Sequence, residues 1–209
     1  MDLTVIVIAA PVLLASLTLH EVAHGFAADA LGDPTARSEG RLTLNPLKHL
    51  DPLGTLVLVI TLSSGKFLFG WAKPVPVDPR HFRSERRGMM LVGAAGPIMN
   101  LALAIASGLA VRFCAPWSQT AALVFFYVFY LNMILALFNI LPIPPLDGSR
   151  VLGGFLPPSA YEMWRGLDRF GNLAIIGLLA ILYTQPGLFR GYVEPPLQFA
   201  ARVLMGVDW

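Results

Sequence analysis

Uncharged apolar stretches long enough to cross a bilayer recur along this 209-residue chain, and nothing else in the sequence constrains its fold as much. They run from Gly88 to Val111, within Phe113 to Leu146, and from Phe170 to Phe189. A shorter one, Leu3 to Leu19, continues through two histidines to about Ala30. A crossing helix takes ~20 such residues, and because lipid offers the backbone no hydrogen-bond partners, runs of this kind fold as helices. With 56% hydrophobic and 13% charged residues, the chain lies outside the composition of soluble domains. The expected class is an all-α polytopic membrane protein of about 4–6 transmembrane helices. The lipid bilayer is its first partner. No linker or repeat divides it, so residues 1–209 are expected to form a single integral membrane domain.

The first apolar run lacks the basic start and small-residue cleavage site of a signal peptide, so it is expected to be a retained helix. Cys114 is the single cysteine, which excludes an intrachain disulfide and a CxxC metal site. A net charge of +2 gives no sign of a nucleic-acid partner. The basic residues have a topological explanation instead. Nine of the fifteen Lys and Arg fall between Leu31 and Arg87, whereas Arg112 alone flanks "FCAPWSQT". Basic loops stay in the cytoplasm, so the first segment is expected inside and the short connection outside.

That orientation bears on "PLGTLVLVITLSSG", Pro52 to Gly65. If it crossed the bilayer, Lys73 and the arginines from Arg80 to Arg87 would lie outside. The expectation is therefore a re-entrant or interfacial β-hairpin between the first helix and the next core helix, with an ordinary short spanning helix as the rival reading, since the charge rule has exceptions. Non-helical backbone is tolerated at that depth only against protein or a polar cavity, so such a hairpin should line a polar site.

Polar groups then appear where the apolar pattern does not predict them. His20-Glu21-Val22-Ala23-His24 is an HExxH sequence: it sets two imidazoles one helical turn apart on one face, where both reach a single Zn²⁺, with Glu21 placed as general base. An ionisable residue near mid-membrane is unfavourable by ~2.5–3.5 kcal/mol and usually marks a functional site. Three within five positions need a common partner, and a divalent metal is the simplest.

A catalytic zinc site uses three protein ligands and leaves a position open. His49, His81, Glu39, Asp51 and Asp147 are the candidates for the third, and of these Asp147 immediately follows a long apolar run, in "NILPIPPLDGSR". Depth agrees: if the first helix runs outside to inside, His20 and His24 lie near its cytoplasmic end, as Asp147 does on the fourth. "GAAGPIMN" brings Asn100 to a similar level. His49 and His81 read as solvated loop histidines.

Together, HEVAH, GPIMN and "NILPIPPLDG", in this order, resemble the motifs of the site-2 protease family of intramembrane zinc metalloproteases (peptidase family M50), in its minimal form without PDZ or nucleotide-sensing domains. The resemblance covers roughly residues 15–155. It implies that His20, His24 and Asp147 ligate one Zn²⁺ per chain, that Glu21 is the catalytic base, and that Asn139 holds substrate or the developing oxyanion. It implies that Asn100 supports packing or polarity and that substrates are transmembrane proteins; the compact architecture points to a prokaryotic inner membrane, and the basic residues place the active site towards the cytoplasm. Pro74 and Pro76 would position substrate by ending a strand pairing between the hairpin edge and the unwound peptide. A membrane metal-ion transporter or channel could use the same His, Glu and Asp cluster, but would not need the HExxH arrangement.

Overall fold

The computed structural model describes residues 3–64 and 70–207. Its helices are α1 (Leu3–Ala30), the single turn α2 (Thr35–Ser38), α3 (Pro52–Ser64), α4 (Glu85–Cys114), α5 (Gln119–Asn139), α6 (Asp147–Phe155), α7 (Pro158–Arg165), α8 (Gly171–Thr184) and α9 (Pro186–Met205). Three of them, Ile6–Ala30 within α1, α4 and α5, are long and apolar enough to cross a membrane.

One stripe of α4 explains how these helices pack. Gly93, Gly96, Asn100, Ala104 and Gly108 follow one another at helical spacing. Between lipid-soluble helices there is no hydrophobic drive to associate, so close approach through small residues matters most. A Cβ at Gly93 would stand 2.9 Å from the Arg150 Cβ and 3.1 Å from the Asp147 carbonyl, so Gly93 admits α6. Gly96 admits α1, since a methyl group there would collide with both His20 and His24. Further along, Ala104 packs with Phe129 and Met133 of α5 and with Val193, Leu197, Ala201 and Met205 of α9.

The sequence between α1 and α4 departs from expectation. In place of strands, Pro52–Ser64 is a helix, and among the described residues the only β pairing is an isolated antiparallel bridge between Leu50 and Ala72. The reason lies in its start: the Asp51 Oδ1 accepts from the Gly54 amide at 2.7 Å, and Pro52 occupies the first helical position, a side-chain cap followed by a preset φ. The β-branched run after it follows the helix so begun. Thirteen residues rise only about 20 Å, short of the ~30 Å hydrocarbon core. Because Leu50 and Ala72 are bridged, and the Lys73 amide donates to the His49 carbonyl at 2.8 Å, the chain leaves and returns at one level. The part of the expected hairpin at residues 65–69 lies outside the described residues.

Two further segments depart from expectation. The Phe170–Phe189 run is divided at Gln185-Pro186 into the 14-residue α8 and the start of α9, because Pro186 has no amide to continue the helix. His49 is not solvated but 2% exposed, its Nε2 paired with the Thr43 carbonyl at 2.9 Å, since the bridge at Leu50 folds its loop beneath the returning segment.

Candidate metal centre

The site forms where α1, α4 and α6 meet. His20 and His24 lie one turn apart on α1 with their Nε2 atoms 3.0 Å from each other. Asp147, the first residue of α6, directs Oδ2 at both, 3.1 Å from His20 Nε2 and 3.2 Å from His24 Nε2. All three residues are buried. What delivers Asp147 is the turn after α5: the Leu146 amide donates to the Ile143 carbonyl at 2.8 Å and the Ser149 amide to the Leu146 carbonyl at 3.0 Å. Gly148 follows because any Cβ there would strike the Ile140 carbonyl.

The outer nitrogens fix the protonation of the inner ones. His20 Nδ1 is 2.6 Å from the Asn100 side-chain oxygen and His24 Nδ1 is 2.7 Å from the Val92 carbonyl. Both partners are acceptors, so each Nδ1 donates, and each neutral imidazole presents a bare lone pair at Nε2. Asp147 Oδ2 is buried without a hydrogen-bond donor of its own. In that form three lone pairs face one another at hydrogen-bond distance, an arrangement a cation reconciles. Tetrahedral zinc, with bonds of ~2.0–2.2 Å, spaces its ligands by about 3.3–3.5 Å. The donor set, two imidazoles and a carboxylate, fits that ion.

Behind the ligands runs a hydrogen-bonded chain that closes on itself. Asn100 Nδ2 donates to Asn132 Oδ1 of α5 at 2.7 Å, and Asn132 Nδ2 donates to Ser16 Oγ at 2.8 Å, one turn before His20 on α1. Asn100 and Asn132 are fully buried. The chain therefore ties three helices to the orientation of one ligand, the usual role of groups that hold a metal-bound histidine.

Glu21 lies off to the side of this cluster, where its Oε2 accepts the Val75 amide at 2.9 Å. Pro74 and Pro76 flank that amide. Asn139, at the end of α5, is half-buried, and the hydrogen bond it makes is from Nδ2 to the Leu135 carbonyl of its own helix at 3.0 Å, not to the three ligands. Of the other third-ligand candidates, His81 is 44% exposed and approaches Asp33 at 3.2 Å, away from the cluster. Sequence reasoning passed over Ser16, Gly96 and Asn132. Asn132 had a signal: it is the lone amide in the run Ala121–Phe138, and an amide inside an apolar helix seeks a partner.

Comparison with known proteins adds independent findings. The model of peptidase family M50 matches residues 115–166. Over 198 residues the chain is 37% identical to the Bacillus subtilis (strain 168) protein named "Putative zinc metalloprotease YwhC", an alignment covering 91% of this chain and 85% of that one. It is 35% identical over 190 residues to Rip2 of Mycolicibacterium smegmatis, which carries the same description, covering 87% and 68%. For Rip2 of Mycobacterium tuberculosis (strain H37Rv) the identity is 37% over 192 residues, covering 86% and 69%. No solved structure matches significantly.

Proposed function

This chain belongs to peptidase family M50, the site-2 protease family, and from that premise we propose that it is a zinc-dependent endopeptidase hydrolysing peptide bonds of transmembrane proteins within the bilayer. The observation that carries the reading is the convergence of His20 Nε2, His24 Nε2 and Asp147 Oδ2 at 3.0–3.2 Å, with Glu21 next to His20 in sequence.

His20, His24 and Asp147 hold one Zn²⁺ per chain. When bound, that ion polarises the scissile carbonyl and acidifies water towards a pKa of ~7. Glu21 accepts a proton from the attacking water at its carboxylate and passes it to the leaving amide nitrogen. Asn100 holds the His20 ring through Nδ1, and Asn139 holds substrate or the oxyanion at the cytoplasmic end of α5. Pro74 and Pro76 position the unwound substrate by limiting where it pairs with the segment beside them.

The membrane arrangement belongs to the same proposal. Residues 1–209 act as one domain in a prokaryotic cell membrane, with the site towards the cytoplasm, as the basic residues between α1 and α4 favour. α9 packs along the α4–α5 pair: its Tyr192 hydroxyl donates to the Leu137 carbonyl near the end of α5, while Leu204 packs on Gly108 of α4.

The test is cleavage of a labelled single-span peptide in liposomes, with zinc measured in parallel, for the wild type and Glu21→Gln. Cleavage by the wild type, and loss of cleavage with about one zinc retained in the variant, is the expected result. Zinc without cleavage of any peptide, accompanied by metal flux across the liposome, would replace the protease by a transporter.

A further inference from the structure

Glu21 leaves α1 on a different side from the histidines, and something other than a helix covers that side. Leu14, Thr18, Glu21 and Gly25 share one face of α1. Along it lies the non-helical segment Ala72–Asp78. Ala72 borders a small apolar cavity together with Leu14 and Thr18. Next, Val75 gives its amide to Glu21 and packs its side chain against Gly25, its Cγ1 3.0 Å from where a Cβ would stand. Asp78 then gives its amide to Asp33 Oδ2 at 2.7 Å, just past the end of α1. Six extended steps of ~3.3 Å cover about 20 Å, and Thr18 to Ala30 at the end of α1 covers about 18 Å at helical rise, with Asp33 just beyond. The segment therefore runs parallel to α1, over the Glu21 face.

It is fastened on both sides of Val75. Arg41, 8% exposed, donates through Nη2 to the Lys73 carbonyl at 2.9 Å and the Pro74 carbonyl at 3.2 Å. Asp33, fully buried, receives the Asp78 amide. Proline has no N–H, so within Pro74-Val75-Pro76 the Val75 amide is the one backbone donor, and it points at Glu21. The hydrogen bonds of Arg41 Nη2 and Asp33 Oδ2 act on this segment, while Asp33 Oδ1 accepts the Thr35 amide and hydroxyl.

We propose, building on the metalloprotease reading, that Ala72–Asp78 is a strap that positions the catalytic base, with Arg41 and Asp33 as positioning residues at its two ends. The Val75 amide occupies Oε2 of Glu21 and thereby sets the direction of Oε1, the oxygen left to take the proton from water and return it to the leaving nitrogen. A base fixed in this way does not need to be oriented by substrate. The two prolines keep the segment extended and leave no second donor to compete for the carboxylate.

Two measurements test this, and the first needs no catalysis. Exchange of the Val75 amide is read at single-residue resolution by NMR. Hydrogen exchange is followed in detergent for the wild type, Glu21→Gln and Glu21→Ala. Gln keeps a side-chain oxygen to accept the Val75 amide and Ala keeps none, so protection should persist in the first variant and fall in the second. Equal exchange in all three would overturn the proposal. The second measurement is steady-state cleavage of the single-span peptide by Arg41→Ala and Arg41→Lys. For Arg41→Ala the expectation is a kcat lower by about 10–100-fold, the size of effect that small misplacements produce, with KM and zinc content unchanged and partial recovery in Arg41→Lys, which retains a donor. A raised KM at unchanged kcat would overturn it by showing that the strap acts on substrate binding alone and not on the base, and zinc loss in Arg41→Ala would do so by making Arg41 part of the metal centre. If the wild type cleaves nothing, the metalloprotease reading falls and the catalytic purpose of the strap with it, while the exchange result still decides whether the contact exists.

Discussion

The two functional faces of α1 are held by different kinds of structure. On one, His20 and His24 press into α4 at Gly96, are oriented by Asn100 and the Val92 carbonyl, and meet Asp147 of α6. Every element there is a helix, and the fit depends on side chains small enough to let helices touch. On the other face, Glu21 meets a single backbone amide from an extended segment whose ends are fastened by Arg41 and Asp33. Rigid packing sets the residues proposed as ligands, and a fastened segment sets the residue proposed as base. Substrate must reach the base, and a loop can be rebuilt or displaced there without disturbing the helix contacts that keep the ligands together.

Breaking the helical face should have the largest consequences. Asp147→Asn removes the anionic member of the triad while leaving its shape; zinc content should fall to background and cleavage with it. Retention of stoichiometric zinc would show that Asp147 is not a ligand. Next comes Gly96→Ala. A methyl group there collides with both imidazoles, which their outer hydrogen bonds prevent from yielding. Overpacking of this kind destabilises by about 1–3 kcal/mol, and here the strain falls on the ligands, so zinc should be lost alongside thermal stability. Gly177→Ala on α8, with nothing within 4 Å of the added atom, is the matched control and should change neither. A third, smaller effect is expected from Asn132→Leu, which strands Asn100 Nδ2 and Ser16. Losing support of this kind lowers metal affinity by about 10–100-fold, and because Asn132 acts through Asn100 the lower end is expected. Competition with a chelator measures it.

The helical face was largely legible in the sequence and the strap was not. HExxH nominates two ligands and a base by helical period, a long apolar run ending in a proline turn nominates Asp147 by depth, and the structure brings His20, His24 and Asp147 together. Asn100 could be placed at the right level but not given its partner, because an asparagine in an apolar helix satisfies itself equally well against any neighbour. The segment around Pro52 was misread for a plainer reason: a β-branched apolar run has no period to separate strand from helix, and the deciding signal was the Asp51 cap with Pro52 behind it. As for the strap, its placement depends on backbone amides meeting Glu21 and Asp33 at separations of 54 and 45 residues. No local pattern encodes such pairings. The prolines marked the segment as special while leaving its partner unknown.

The smallest effect should appear at the far anchor of the strap, and it is a pH effect. Burial pushes the Asp33 carboxyl up, but hydrogen bonds from the Thr35 hydroxyl, the Asp78 amide and the Thr35 amide, together with the His81 imidazole, outweigh it and hold Asp33 below the usual carboxylate range. A carboxyl whose folded pKa is depressed contributes stability that is present above its unfolded value, ~3.9, and lost as pH falls through the folded value. The anchor should therefore be intact at pH 5 and should loosen only as pH falls below the ordinary carboxylate value of ~3.9. Asp33→Asn has no such transition: its amide keeps an acceptor for the Asp78 N–H at every pH but gives up the charge. Protection of the Asp78 amide against exchange, normalised to an unstructured peptide, should accordingly drop with acid in the wild type and stay flat, at a slightly lower level, in the variant. If both fall together, the acid response comes from elsewhere in the fold, and the strap is fastened by Arg41 rather than from both ends.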